Sequence, residues 1–364
     1  MTLQEPTTTA PFTPPAWGCA EPGEGKWQAL YIFYTGNPRP VLTEYVKPLV
    51  DGLTADGLLA RYFFLNYWLE GPHIRLRLKP STPGHTAEVR RRAEEELRAF
   101  LRARPSLYEV RSDFYVGLYN TLFDLEFTPE ERLPYLGEDG TMRLRNNNSF
   151  SWEPYEPEYG KYGGPAGVEL AEWHFKHSSD LVIDAARTMN LHVRTVLLGT
   201  AAQLMMVMSS TFLGERPAMA AFLERYHSFW HNAFADTALI SGTAYDGNYD
   251  TMAESVRKRF TAIHGALTEQ EPGRLSGFVR AWAEHCAELR HRARELAVRG
   301  DLVFRSWDGT RDEAVTDPDV AAEALLSPYM HMTNNRLHVT VTDEAYLSHV
   351  LARSLRESCA VEAG

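Results

Sequence analysis

Between Tyr62 and Leu78 the chain reads as two strands and the turn that joins them, and this stretch limits the fold more than any other. Tyr62-Phe-Phe-Leu65 runs through Trp68 into Glu70-Gly-Pro72, after which Ile74, Leu76 and Leu78 alternate with Arg75 and Arg77. Successive side chains of a strand point to opposite faces, so the aliphatic residues share one face and the two arginines the other. Guanidiniums two residues apart on a strand lie about 7 Å from each other. They repel unless water or an anion sits between them, and arginine is the side chain best suited to bidentate capture of a carboxylate. A solvated strand face is the plainer reading of the same pattern.

The rest of the chain places this hairpin in an α+β context. Gln28-Ala-Leu-Tyr-Ile-Phe-Tyr34 reads as a further buried strand, stopped by Gly36-Asn-Pro38. Val41 to Gly57 reads as a helix that Pro48 ends or kinks, and Val89, Ala93, Leu97, Phe100 and Leu101 fall at helical spacing. Residues 105–164, rich in aromatics and broken by Pro and Gly, read as irregular strands and loops walling a cleft. From Pro165 to Arg299 the pattern is mostly helical, with Ser178-Ser179-Asp180 as an N-cap and Phe278, Trp282, Leu289, Ala293 and Leu296 as a core stripe. A short helix after Asp317-Pro318 leads to His331. Leu337-His-Val-Thr-Val341 alternates as a strand, and Thr342-Asp-Glu344 opens a terminal helix with acid at its positive end. The fold expected is therefore α+β: a small antiparallel or mixed sheet built from N- and C-terminal segments, packed with a large, mostly helical region. Residues 1–25 read as a flexible segment, 26–358 as one domain with an aromatic insert at about 114–160, and 359–364 as a tail.

Composition removes several classes of function. A net charge of -11 argues against nucleic acid as the main partner. Cys19, Cys286 and Cys359 are the only cysteines, too few and too scattered for a disulfide framework or a zinc cluster, which suits a reducing cytoplasm. The N-terminus lacks the basic start and apolar core of a signal peptide, and no apolar run approaches the ~18 residues of a membrane span. His174/His177 and His227/His231 have metal-compatible spacing but lack a third ligand, so no metal is expected.

Three motifs in order, Pro72-His-Ile-Arg-Leu-Arg77, Lys161-Tyr-Gly-Gly-Pro165 and His331-Met-x-x-Asn-Arg-Leu337, carry a family resemblance. From about Trp27 to Leu355 the chain resembles the C-terminal, glutamate-eliminating domain of lantibiotic dehydratases, which also occurs as stand-alone proteins in thiopeptide and lanthipeptide pathways. The resemblance implies a lyase that removes the α-proton of a glutamylated Ser or Thr in a precursor peptide and expels glutamate. That leaves dehydroalanine or dehydrobutyrine. Such a reaction needs a base, cations for the glutamate carboxylates and donors for the developing enolate, but no cofactor.

His331, a residue type that can alternate between base and acid, Arg75 and Arg77 are the catalytic candidates. Lys161, Arg336, His73, Trp152 and Tyr155 are candidates for substrate binding. His73 equally suits a turn-capping role and Arg336 an ion pair. The chain departs from the eliminating pattern at Lys161, where those domains carry arginine; lysine keeps the charge and loses the planar fork. Gly163-Gly164 are expected to form a tight turn. Two other readings stand beside elimination. Relatives in the same superfamily join two dehydroalanines by a formal [4+2] aza-cycloaddition and release water and leader peptide, for which Phe150, Trp152, Tyr155 and Trp173 offer aromatic walls. A non-catalytic peptide-binding subunit would show the same fold. The partners expected are a precursor peptide and a separate glutamylating dehydratase subunit, with neither nucleic acid nor membrane; a homodimer stays open.

Overall fold

A computed structural model describes residues 24–108, 112–138, 140–234, 242–306 and 309–362. The expected N-terminal segment falls almost entirely outside them. Four strands, β1 (Gln28–Phe33), β2 (Leu59–Tyr67), β3 (His73–Pro80) and β4 (Ser149–Glu153), form one antiparallel sheet in the order β2-β3-β1-β4. The fold is α+β as expected, yet the sheet comes wholly from the N-terminal part of the chain. Leu337 to Thr340 make a turn in place of the expected strand: His338 takes φ 65°, and Thr340 caps the next helix by accepting from the Asp343 amide at 3.2 Å. A β-like alternation lost there to a helix-capping signal.

The hairpin behaves as the sequence predicts. Leu30, Ile32, Phe64, Ile74, Leu76 and Leu78 are all buried in the main core. That core includes the π-helical turn Val41–Val46, α1 (Lys47–Ala55) and α2 (Thr86–Ala103). Tyr45 of the turn donates its hydroxyl to the Ala93 carbonyl of α2 at 2.9 Å. The opposite face carries Tyr31, Phe33, Phe63, Tyr67, His73, Arg75, Arg77 and Lys79, as the register Tyr31↔Arg75 and Phe63↔Arg77 requires.

The aromatic insert is more regular than its composition suggests. It contains α3 (Ser112–Glu126) and the single turn α4 (Pro129–Arg132) before the edge strand β4. The short α5 (Tyr159–Tyr162) then turns at Gly163 and Gly164, with φ 82° and 80°, into α6 (Gly164–Thr188). A side chain at Gly163 would press on the Phe304 ring at 3.0 Å as well as straining the backbone. Ser178 and Ser179 do not cap a helix: they lie deep inside α6, where Ser178 donates back to His174 and Ser179 accepts from the Phe64 amide.

The helical part comprises α7 (Arg194–Leu213), α8 (Arg216–Ala233), α9 (Gly242–Thr268), α10 (Gly277–Arg299), α11 (Pro318–Arg336) and α12 (Val341–Glu362), with the small hairpin β5 (Val303–Arg305) and β6 (Asp312–Ala314) between α10 and α11. The α10 stripe is as expected, with Trp282, Leu289 and Ala293 buried and Phe278 and Leu296 at the margin. α7 corrects the sequence reading of apolar runs, because it is long and apolar enough to cross a membrane by length and composition alone. Here it packs among α8, α9, α10 and α11. Asp317 caps α11 by accepting from the amides of Asp319 and Val320 at 2.8 and 3.1 Å, and α11 runs without a break through His331 to Arg336.

Candidate active site

β3 sets His73, Arg75, Arg77 and Lys79 on one face, and their neighbours set Lys79 apart from the two arginines. Lys79 and Arg61 share the carboxylate of Glu24, at 2.5 and 3.3 Å. Among the described residues no carboxylate pairs with Arg75 or Arg77. The Arg75 guanidinium lies 3.5 Å above the Tyr67 ring and 4.7 Å from the Tyr31 ring, an arrangement in which aromatic faces replace a counter-ion. Burial lowers the Arg75 pKa from its ordinary value. Tyr67 donates to Glu126 of α3 at 2.7 Å, and Trp68 donates to the other oxygen of the same carboxylate at 3.0 Å.

Arg77 is almost fully buried, at 4 % exposure. Its Nη2 donates to the Tyr31 hydroxyl at 3.3 Å, while Nε and Nη1 have no hydrogen-bond partner. The Tyr155 ring stands 5.2 Å from this guanidinium, held by a 2.7 Å bond from its hydroxyl to buried Glu172 of α6. Two unpartnered donor nitrogens on a buried cation are an unusual arrangement, because such groups are normally satisfied.

His73 faces the same side, and both of its ring nitrogens are occupied. Nδ1 donates to the Gly71 carbonyl at 2.9 Å, which leaves Nε2 to accept from Arg75 Nε at 3.2 Å. Burial, reinforced by the Arg75 charge, pushes its pKa down to about 3, so the ring is neutral and orients Arg75.

The His331 motif lies on α11. Asn335 and Asn66 exchange three hydrogen bonds: Asn66 N to Oδ1 at 2.9 Å, Asn66 Nδ2 to the Asn335 carbonyl at 2.6 Å, and Asn335 Nδ2 to the Asn66 carbonyl at 2.8 Å. This clasp fixes the end of α11 beside Tyr67. His331 lies one helical turn earlier, on the same side of the helix as Asn335. Its ring packs 5.0 Å from Trp230, which belongs to an aromatic cluster with Trp68 and Tyr119. His331 Nδ1 donates to Glu344 Oε1 at 3.0 Å. Glu344 is fully buried, and its other oxygen accepts from the Tyr226 hydroxyl and, at 3.2 Å, from Asn334 Nδ2.

The remaining candidates lie elsewhere. Arg336 is buried between α11 and α6, donating to the Met332 carbonyl at 2.7 Å and to Ser179 at 3.3 Å, with its guanidinium 4.3 Å from the Phe175 ring. Burial lowers its pKa to about 9. It makes no ion pair among the described residues and clamps one helix to the other. Trp152 is on the opposite face of the sheet, where it donates to Glu94 of α2 at 2.8 Å beneath Arg90. Phe150 is also there, under Arg98. Neither joins the arginine face. Lys161 is exposed, and its ammonium pairs with Glu158 one turn away at 3.3 Å. Trp173 packs on His177 and His285, well inside the helical region. Among the described residues no group of three or more His, Cys, Asp or Glu is arranged to hold a metal ion.

Of the residues singled out from the sequence, Arg75, Arg77 and His73 share a sheet face with Tyr155 beside it, and His331 lies on α11 one turn before the Asn66–Asn335 clasp. Sequence reading missed Tyr31, Tyr67 and Glu344. The register of β1 against β3 exposes the first two once pairing is known, but Glu344 carried only the signal of an acid in a first helical turn.

The family model for the lantibiotic biosynthesis dehydratase C-terminal region matches residues 27–355. Among solved structures, TbtD, a pyridine synthase from thiomuracin biosynthesis, superposes with a TM-score of 0.69 at 21% identity, over 92% of this chain and 99% of that one. TsrL superposes with a TM-score of 0.64 at 16% identity, over 92% and 95%. The tRNA-dependent lantibiotic dehydratase MibB from Microbispora sp. 107891 gives 0.47 at 17% identity, over 97% of this chain and 29% of its own. No curated protein sequence matches.

Proposed function

Because the chain belongs to the family of the lantibiotic biosynthesis dehydratase C-terminal region, we propose that it is a peptide-modifying enzyme that closes the pyridine ring of a thiopeptide. In this reading two dehydroalanines of one precursor peptide react in a formal [4+2] aza-cycloaddition. The amide joining one dehydroalanine to its predecessor tautomerises to a hydroxy-imine and supplies the four-atom diene. Two carbon–carbon bonds close the ring; the hydroxyl then leaves as water and the leader peptide as an amide, each taking one proton from a ring carbon, which leaves the pyridine.

The observation that carries this reading is the state of Lys161. Glutamate elimination, which the sequence resemblance puts first, needs cations for a leaving dicarboxylate. Lys161 stands where the eliminating domains carry arginine, yet it is exposed and paired within its own turn to Glu158. The match to a pyridine synthase over nearly the full length of both chains supports the same choice. In the cyclisation, Arg75 and Arg77 donate to the amide oxygen as it becomes the hydroxyl, where charge develops and preorganised donors are most effective. His331 moves the amide and ring protons, and Tyr31, Tyr67 and Tyr155 give the folded peptide flat surfaces to lie on.

A second reading rests on Arg77. Its open Nε and Nη1 are suited to a carboxylate, which a glutamylated substrate brings and a didehydrated one does not. One experiment separates the two. The protein is incubated with a glutamylated precursor peptide and, separately, with a didehydrated one, and masses and ultraviolet absorbance are followed. Release of leader with a new aromatic chromophore is the expected result; release of glutamic acid without it assigns the lyase.

A further inference from the structure

We infer that Glu344 is the positioning residue of this site: it holds His331 in the Nδ1–H tautomer, so that Nε2 carries the lone pair that accepts protons. The inference rests on His331 acting as the proton carrier in the proposed reaction. It does not depend on whether cyclisation or elimination is the chemistry.

The argument begins with the burial of a carboxylate. Glu344 is 0 % exposed. Removing a carboxylate from water is costly unless hydrogen bonds or opposite charge compensate. Among the described residues Lys and Arg supply neither: Arg194, on the same side, is bonded to Asp343. Glu344 instead receives three donors, the Tyr226 hydroxyl and Asn334 Nδ2 on Oε2 and His331 Nδ1 on Oε1. With the Tyr226 hydroxyl and Asn334 Nδ2 both directed at Oε2, the carboxyl is arranged as an acceptor. It also sits in the first turn of the 22-residue α12, where the helix dipole favours negative charge.

The geometry then determines the ring. Tyr226 from α8 and Asn334 from α11 fix the carboxylate from two directions, so Oε1 is left to a single partner. That partner is His331, whose Nδ1 must carry a proton to donate. Nε2 makes no hydrogen bond to any described residue, and the ring retains 24 % of its side-chain exposure. A packing role alone would be served better by an apolar side chain at Glu344, because removing the acid and its donors together relieves desolvation. The charged and titratable groups around the pair are Tyr226 and His227 from α8 and Asp343 from α12. Asp343 is committed to Arg194, and His227 Nδ1 donates to the Ala345 carbonyl.

The test reads the ring directly, without substrate. Protein labelled with ¹⁵N-histidine is titrated by NMR, with His331 assigned from a His331→Gln variant. In its neutral form the wild-type ring should show a protonated Nδ1 and a bare Nε2. In Glu344→Gln the preference for this tautomer should collapse, because an amide at that position can donate as well as accept. With the peptide substrate that turns over, Glu344→Gln should lower kcat on the order of 10²–10⁴-fold with KM within about twofold, and Glu344→Asp should recover part of the loss. An Nε2–H tautomer in the wild-type protein overturns the inference even if every variant misfolds. So does a folded Glu344→Gln protein in which His331 keeps the Nδ1–H tautomer unchanged. Correct tautomer behaviour with no effect on turnover overturns the role of His331 in the reaction and leaves the fold of the pair intact.

Discussion

The Arg75 guanidinium rests 3.5 Å over the Tyr67 ring, and the Tyr67 hydroxyl is in turn tied to Glu126 of α3. The aromatic face thus supports a cation that pairs with no carboxylate among the described residues. Tyr67→Phe keeps the face and loses the bond to Glu126, so turnover should fall less than about fivefold with a stability loss of about 1 kcal/mol. Tyr67→Ala removes the face as well. Its turnover should fall at least as far as that of Arg75→Ala, which kinetics on the three variants would reveal.

Arg77 gives a prediction of opposite signs for stability and activity. A buried cation without a counter-ion lowers stability relative to an apolar residue of similar volume. Arg77→Met should therefore melt at the same temperature as the wild type or higher, while losing turnover by the equivalent of roughly 2–5 kcal/mol. Calorimetry alongside a peptide assay checks both. A clear drop in melting temperature with turnover preserved would make Arg77 a structural residue.

Lys161 decides between the two chemistries. A solvent-exposed pair within one turn is worth about 0–1 kcal/mol. In a cyclase Lys161→Ala should leave both melting temperature and leader release nearly unchanged. Strong loss of activity in a folded Lys161→Ala protein, with rescue by Lys161→Arg, would favour glutamate elimination.

Acid should destabilise the protein well before its carboxylates titrate. Burial, with Arg75 beside one ring and His177 and Arg292 beside the other, pushes the pKa values of His73 and His285 down to about 3. Burial pushes His174 down as well. An unfolded histidine titrates near ~6.5, so between those values the unfolded chain binds protons that the folded chain excludes. Their contribution is complete above about pH 6.5 and is lost as the pH falls toward 3, by up to about 1.4 kcal/mol per unit for each ring. Glu172, whose carboxyl is raised by burial, acts in the opposite direction as it protonates. Melting curves at pH 7.5 and 5.5 should show a marked drop, smaller in His285→Asn. Equal melting temperatures would contradict the neutral burial of these rings.

The parts of this architecture visible in the sequence were those encoded locally. The β2–β3 hairpin announces itself through an alternation confined to a few residues, and the α10 stripe through a single helical period. α3 was hidden because Gly117, Asn120 and Thr121 weaken its helical pattern among aromatics that suit strands equally. At Leu337–Val341 a genuine alternation was overruled by the cap at Thr340. Trp152 was grouped with Tyr155 by nearness in sequence. A strand sends odd and even positions to different faces, and only the register against β1 shows which face holds Arg75. Glu344 was out of reach for a different reason: its meaning lies in His331, on another helix across a turn.

The three bonds between Asn66 and Asn335 join positions 269 residues apart. During synthesis the arginine-bearing sheet leaves the ribosome long before α11 exists, and domains form as their segments emerge. A chain made only as far as α10 therefore holds the sheet that carries Arg75 and Arg77 but lacks His331, which α11 supplies. Under the proposed reaction, such a product should bind peptide without converting it.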